Sequence, residues 1–328
     1  EKLMEDGKHR SIDYLRISVT DRCNLKCVYC MPEGDISCLE KEEVLSFEEI
    51  IKVCKSAAKL GIKKIKLTGG EPLVRPDFVS LVRQIKAVEG IEEITLTTNG
   101  LLLEKQLEDL IEAGISQINI SLDTLDPKHF KEITKVDGLD KVLAAIHKAA
   151  HSDLKRVKVN ALVAKHLNEE AICALAQLAQ HDAIHVRFIE LMPIGLGKQF
   201  ERIGKEEIIA ILEEKFGILK PYKGKLGNGP AQYWEIEGFK GKIGFISAVS
   251  ECFCDACNRI RLTADGFLKL CLHSKAGLDV KHLLRSGISQ EELTRLIGEA
   301  IHYKPEKHHF GDAPREEDED KIMAQIGG

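Results

Sequence analysis

Six short runs in the first 190 residues alternate apolar with polar side chains, and this alternation limits the fold more than any motif does. The runs are DYLRISVT, KKIKLT, EEITLT, QINISL, RVKVNALV and HVRFIE. Between them lie segments with helical periodicity near 46–60, 76–89, 103–113, 139–151 and 168–180. The first opens on Ser46 with Glu49 three residues on, a capping-box pattern, and stops before Gly61. Strands and helices in this repeat predict a parallel sheet built from right-handed crossovers. Parallel strands covered by helices on both faces read as continuous apolar runs, and these do not. One face must therefore meet helices while the other meets something wet. The expectation is an α/β chain with a partial, laterally open (β/α)6 parallel barrel, whose interior is polar and not packed with Val, Ile and Leu.

Side chains two apart on a strand share a face. Leu15, Ile17 and Val19 take one side of the first strand, with Arg16, Ser18 and Thr20 on the other. Repeated strand by strand, the polar side collects Lys66, Thr95, Thr97, Asn119, Ser121, Lys158, Asn160, His185 and Arg187. Arg16, Lys66, Lys158 and Arg187 are four cations from four strands converging on one interior, which points to a polyanionic ligand such as a triphosphate.

Beyond Gly217 the pattern changes to GKLGNGPAQYWEIEGFKGKIGFISAVS, read as Gly-punctuated antiparallel strands. The predicted division is a barrel domain at 1–218 and a C-terminal α+β domain at 219–328, where the REEDED run near the end reads as solvated surface. The net charge of −5 excludes the global basic charge expected of a nucleic-acid binder. No apolar run approaches the ~20 residues that span a bilayer, and no secretory leader is seen. Together with unpaired-looking cysteines this predicts a cytoplasmic chain, with monomer and homodimer both left open.

Ten cysteines remain to be explained, six of them in two triplets. Cys23, Cys27 and Cys30 form a C-x3-C-x2-C run directly after the first strand, and Cys254, Cys257 and Cys271 form C-x2-C-x13-C. Closed structural zinc or iron–sulfur sites take about four ligands. Three thiolates predict a cluster with one iron open to a small molecule, and two such sites suggest an enzyme that binds two different ones. Cys54 and Cys173 lie in helical runs and read as small apolar residues, with Cys38 and Cys252 left over. After the next three strands come Gly69-Gly70-Glu71-Pro72, Thr97-Thr98-Asn99-Gly100 and Ser121-Leu122-Asp123, all on the rim where barrel active sites lie. The glycines allow close backbone approach to a ligand, and Glu71 can accept from an ammonium group.

The first triplet, with Tyr29 before its last cysteine, resembles the signature of the radical S-adenosylmethionine (SAM) enzymes. That resemblance implies a [4Fe–4S] cluster on Cys23, Cys27 and Cys30, with SAM chelated to its fourth iron and cleaved to a 5′-deoxyadenosyl radical. The cofactor carries such chemistry, so no acid–base pair or nucleophile is required of the protein. The second triplet, Arg259 and Arg261 after its CxxC pair, and the tail Gly327-Gly328 resemble the branch that cyclises GTP at the opening of molybdenum cofactor biosynthesis. The likeness runs from LRISVTDRCN through KIKLTGGEPL, LTTNG, INISLD, VKVN and RFIELM to AQIGG, while DGKHRSIDYL departs from it.

What this resemblance implies is a second [4Fe–4S] cluster whose open iron is ligated by guanine. It assigns SAM contacts to Tyr29, Gly70, Ser121 and Met192, and GTP contacts to Arg16, Lys66, Thr97, Lys158, Arg187, Arg259, Ile260 and Arg261. Arg259, Arg261, Gly327 and Gly328 become positioning residues in the reaction. The implied product is (8S)-3′,8-cyclo-7,8-dihydroguanosine 5′-triphosphate. Cyclic pyranopterin monophosphate synthase is then the downstream partner, and a flavodoxin or ferredoxin the electron donor. Two alternatives compete. A radical SAM peptide-modifying enzyme with an auxiliary cluster would not need four inward cations. A non-catalytic zinc or iron–sulfur protein would hold metal without reacting. His302, His308 and His309 are read as solvated tail residues and not as a further metal site.

Overall fold

A computed structural model describes residues 4–32, 37–310, 312, 315–316 and 318–328. The chain runs β1 (Tyr14–Ser18), α1 (Phe47–Lys59), β2 (Lys64–Thr68), α2 (Phe78–Lys86), β3 (Glu93–Thr98), α3 (Leu103–Ala113) and β4 (Ile115–Ser121). It continues through α4 (Pro127–Thr134), α5 (Leu139–Ala150), β5 (Arg156–Val163), α6 (Ile172–His181), β6 (Ile184–Glu190) and α7 (Lys205–Phe216). Six strands follow: β7 (Lys220–Tyr222), β8 (Gln232–Glu235), β9 (Ile243–Ile246), β10 (Arg259–Leu262), β11 (Phe267–Lys269) and β12 (Gly277–Asp279). Then come α8 (Val280–Arg285), α9 (Gln290–His302) and the short α10 (Met323–Ile326). The Ser46–Glu49 capping box is formed as expected, with Glu49 N–H donating to Ser46 Oγ at 3.2 Å and Ser46 N–H to Glu49 Oε2 at 2.8 Å. The helix α4 lies outside the predicted segments, although Asp126 caps His129 N–H at 2.7 Å and Pro127 sits at its first position.

Strands β1 to β6 pair in parallel and in sequence order, and the sheet does not close. Leu15, Ile17, Ile65, Leu96, Ile118, Val159 and Phe188, on the outward faces of these strands, are each no more than 1% exposed beneath the helices. Each such side chain contributes about 1.5–3 kcal/mol of burial. A one-residue slip of register would exchange them for the interior cations, so the pairing is strongly fixed.

The strands after residue 219 make no sheet of their own. β9 joins β6 in parallel and carries β8 and β7 antiparallel, while β10 joins β1 in parallel and carries β11 and β12 antiparallel. One twelve-stranded sheet results, and the expected boundary at 218/219 falls between α7 and β7. Among the described residues no helix is long and apolar enough to cross a membrane.

The REEDED run is not solvated throughout. Lys269 and Glu319 form an ion pair with side chains only 2% and 4% exposed, and Asp318 Oδ1 lies 3.0 Å from His273 Nε2. Glu317 lies outside the described residues. Removing one partner of a buried pair strands the other charge, at a cost of about 3–5 kcal/mol. Glu319→Ala is therefore expected to lower the unfolding free energy by that amount, read as a lower denaturation midpoint at unchanged m-value, and an unchanged midpoint would show the pair to be dispensable.

Candidate active site

The cysteine loop after β1 is held by its neighbours before any ligand arrives. Lys26 N–H and Val28 N–H donate to the carbonyls of Thr134 and Ile133 at the end of α4 (2.9 and 3.0 Å), so the helix missing from the sequence reading braces the triplet. Gly70 N–H reaches Thr20 O at 2.7 Å and Glu71 N–H reaches Arg22 O at 2.8 Å. At Gly69 an added Cβ would lie 2.6 Å from the Thr20 carbonyl, and at Gly70 it would run into that of Arg22. Only glycine lets these two loops lie together.

Glu71 lines the cavity, where a carboxylate keeps acceptor capacity for an ammonium group, and it also braces the rim. It is 1% exposed and accepts from Leu73 N–H (3.1 Å), Thr98 Oγ (2.7 Å) and Asn99 N–H (2.7 Å), tying the rim loops to each other. Burial nevertheless pushes its carboxyl up to about 7, against these three bonds. Asp123, which sequence reasoning placed only in a rim loop, accepts from the Tyr29 hydroxyl and from Leu162 N–H at 2.9 Å. Burial pushes it up to about 6.

Burial also pushes the Cys23 thiol up to about 11, Cys30 to about 12 and Cys27 well above its usual range, the last reinforced by Asp123. Cys23 Sγ accepts from Leu25 N–H at 3.4 Å and Asn99 Nδ2 at 3.9 Å, and Cys30 from Ala324 N–H. Backbone and amide donors of this kind stabilise metal-bound thiolates.

At the second triplet Cys254 is in a tight turn whose carbonyl accepts Cys257 N–H (3.1 Å) and Arg10 Nη1 (2.9 Å). Arg10 also binds the carbonyls of Glu306 (2.8 Å) and Pro305 (2.7 Å) and the carboxylate of Asp6 (2.6 Å). Burial pushes Cys254 up to about 12. For Cys257 burial acts the same way, but the charges of Lys304, Arg259 and Arg10 outweigh it and hold the thiol below its ordinary value.

Both triplets open on one cavity of about 380 Å³, the size of a small-molecule site. Strand register places the cations between them: Arg16 stands opposite Arg261 on one side and Lys66 on the other, and Asn119 opposite Lys158. Lys158 Nζ donates to Gln117 Oε1 at 2.9 Å and Arg187 Nε to Asn160 Oδ1 at 2.8 Å. Burial, with Arg187 and Arg156, brings Lys158 down to about 7, and burial with Arg187, Arg16 and Lys158 holds Lys66 well below its usual range.

Arg16 Nε and Arg259 Nε are buried without a partner, the mark of donors awaiting an anion. Arg16 and Arg261 otherwise hold the tail, at Gly328 O (2.5 Å) and Gly327 O (3.0 Å), where Thr68 Oγ also reaches Gly328 O (2.6 Å). Tyr29, Gly70, Ser121, Met192 and Thr97 line the same cavity. Ile260 does not, because its side chain points into the core and is 1% exposed. Thr68 and Asn160, on the polar strand faces, line it too without having been given a role, and so does the loop Asn228-Gly229-Pro230. The first two were legible by strand parity, and the loop carried no signal.

The donor spacing separates a cluster from a single ion. Two thiolates on one tetrahedral zinc lie about 3.8 Å apart, given Zn–S near 2.3 Å. Among the described residues neither triplet has all its sulfurs within 4.8 Å of one another. The residues thus fit a polynuclear group better than one zinc.

The Radical SAM superfamily matches residues 17–179 and Molybdenum Cofactor Synthesis C matches residues 184–310. The GTP 3′,8-cyclase of Clostridium perfringens (strain SM101 / Type A) is 49% identical over 326 residues, covering 99% of this chain and all of the relative. The chain belongs to the GTP 3′,8-cyclase family. The family member of Desulforamulus reducens is 45% identical over 328 residues, again covering 99% of this chain and all of the relative. Streptococcus suis SuiB, solved with S-adenosylmethionine bound, has the same fold at 16% identity and a TM-score of 0.63, over 89% of this chain and 68% of that one. Membership makes this a radical SAM enzyme, with SAM and [4Fe–4S] clusters as its cofactors. The His302, His308 and His309 reading changes in part: His302 is exposed, but His308 is half-buried and lines the cavity.

Proposed function

We propose that this chain is a lyase that converts GTP to (8S)-3′,8-cyclo-7,8-dihydroguanosine 5′-triphosphate. The observation that carries this reading is the one cavity into which two three-thiol sets and seven cations converge, Lys304 among them. Cys23, Cys27 and Cys30 would hold one cluster and Cys254, Cys257 and Cys271 the other. When bound, the first supplies the electron that cleaves SAM and so starts hydrogen abstraction, chemistry that belongs to the cofactor.

The protein's own part is orientation. Tyr29, Gly70, Ser121 and Met192 line the SAM side of the cavity. Arg16, Lys66, Lys158, Arg187, Arg259 and Arg261 neutralise the triphosphate, and Thr97 contacts GTP beside them. Ile260 can take part only through its backbone. Holding both substrates in one enclosed geometry replaces chance encounter by effective molarity. The barrel part, 1–218, would bind SAM, and 219–328 would bind guanine and close the interior. A cyclic pyranopterin monophosphate synthase would take the product, and a flavodoxin or ferredoxin would supply electrons in a reducing cytoplasm. Among the described residues all ten cysteines are unpaired, which suits that compartment. Anaerobic reconstitution, followed by product analysis with GTP and SAM, tests the reading. Cleavage of SAM without a cyclised nucleotide would reject it.

The buried lysines add a pH dependence. Lys158 titrates near 7 without an anion beside it, because burial and its cationic neighbours disfavour the charge. A triphosphate favours the charged form and returns it toward the ordinary value of about 10.4. Binding therefore takes up a proton above about pH 7, weakening up to about tenfold per pH unit for each such lysine. GTP titration calorimetry between about pH 6.5 and 8.5 is expected to show this slope. Lys158→Met should bind more weakly and lose about one proton of the slope. An unchanged slope would remove Lys158 from the binding site.

A further inference from the structure

Cys252 belongs to neither triplet, yet it is not isolated. Among the described residues, the one set of three metal-ligating side chains whose donor atoms all lie within 4.8 Å of each other is Cys252, Cys254 and His308. The Cys252 and Cys254 side chains are hydrogen-bonded, and Cys254 Sγ also accepts the backbone N–H of His308. Cys252 is exposed, giving solutes a way in, whereas Cys254 is 9% exposed. His308 Nε2 is buried with no partner at full hydrogen-bond distance, the ring interacts with the Ala248 carbonyl, and it is held against Phe310 at 4.4 Å between centroids.

We propose that Cys252, Cys254 and His308 form a site for a single thiophilic divalent ion, zinc by the chemistry of its donors, in the chain that lacks its second cluster. Because Cys254 is needed by both, ion and cluster exclude one another there. A tetrahedral zinc wants sulfurs about 3.8 Å apart and accepts two thiolates, one imidazole and an open fourth position. The set needs to close by no more than about 1 Å to meet that geometry, which rotation of the exposed Cys252 can supply. Binding releases one proton from each thiol. There is a local cost: His308 Nδ1 accepts Phe310 N–H at 3.2 Å, and presenting a free Nε2 to metal moves the ring proton to Nδ1 and breaks that bond. The consequence is a competition in which an early zinc ion blocks assembly of the second cluster. The exclusion, unlike the ion site itself, rests on reading Cys254 as a cluster ligand.

The test uses the full chain freed of iron, with Cys23, Cys27 and Cys30 replaced by serine so that the first triplet is silent, titrated anaerobically with cobalt(II) and then zinc(II). One equivalent of cobalt is expected, with sulfur-to-cobalt charge-transfer absorption that zinc abolishes. Cys252→Ser and His308→Ala should each weaken binding at least about tenfold, since even the outer partners of metal ligands are worth that much. Cys257→Ser and Cys271→Ser should leave it unchanged. Absence of binding, or binding that needs Cys257 and Cys271 but not Cys252 and His308, would overturn the site. Because Cys252 is exposed and serine matches its shape, that arm stays readable even if His308→Ala fails to fold.

For the exclusion, the otherwise unmodified chain loaded with zinc should reconstitute with about four irons where the zinc-free chain takes about eight. Eight irons with zinc retained would reject the competition. A zinc-free chain that takes only about four would count against the two-cluster reading, and the cobalt titration would still decide the ion site.

Discussion

A chain carrying Cys27→Ser is expected to reconstitute with about four irons in place of about eight, and to yield no 5′-deoxyadenosine from SAM above background. The loss should be at least about a thousandfold, out of the roughly million-fold or more that enzymes supply. Burial, then Asp123, Cys30 and Cys23, hold the Cys27 thiol protonated, so only a strongly cationic centre can displace its proton. A serine hydroxyl holds its proton more tightly still and is not the thiolate these clusters use. The braces around the triplet, Glu71, Asn99, Asp123 and the end of α4, include no residue of the second triplet. Cys254→Ala should therefore also bring iron to about four, yet leave SAM cleavage in place and stop only the conversion of GTP. Cys173→Ser, whose thiol reaches Ile211 O at 3.8 Å away from the cavity, should change neither number. Iron analysis and product chromatography read all three variants. SAM cleavage surviving in Cys27→Ser would remove the first triplet from the reaction.

Strand parity exposed the site in the sequence because a helix-covered strand with a wet face must alternate, and every deviation from that rule is costly. Arg16, Lys66, Lys158 and Arg187 follow from it with no reference to a family. Arg259 and Arg261 do not, since β10 reaches β1 from some 245 residues away, as in the Asn258–Asp13 side-chain contact, and local pattern does not report such pairing. The same distance effect hid Glu319, which composition assigns to solvent until Lys269 is found against it. For Glu71 the sequence showed only half its part: a carboxylate after two glycines suits a ligand, but its three donors come from loops whose approach is set by packing. The role of Arg10 was invisible for a similar reason: it lies in the segment that departs from the family pattern, and its carbonyl partners belong to residues 254 and 304–306.

Gly327→Ala is expected to cut GTP conversion about a hundredfold while leaving SAM cleavage within about twofold, since misplacement by about 1 Å at a positioning group costs that much. Gly327 has φ +89°, a region an L-residue enters at a cost of about 1–2 kcal/mol. A Cβ there would also lie 2.6 Å from Ser18 Cβ on β1, inside any real contact distance. The tail must then withdraw from the cavity. Its carbonyls would leave Arg261, Arg16 and Thr68, the groups that now hold it among the interior cations. Cys30 would lose its bond from Ala324 in the same movement only if α10 shifted as well, so SAM cleavage reports whether the displacement stays local. Adding Ser18→Gly removes the clash but not the backbone strain, and should recover part of the rate and not all of it. Parallel measurement of cyclised nucleotide and 5′-deoxyadenosine separates these cases. If Gly327→Ala turns over GTP at the unmodified rate, the tail's close approach to β1 is not part of the reaction, and Arg16 and Arg261 must act on the substrate without it.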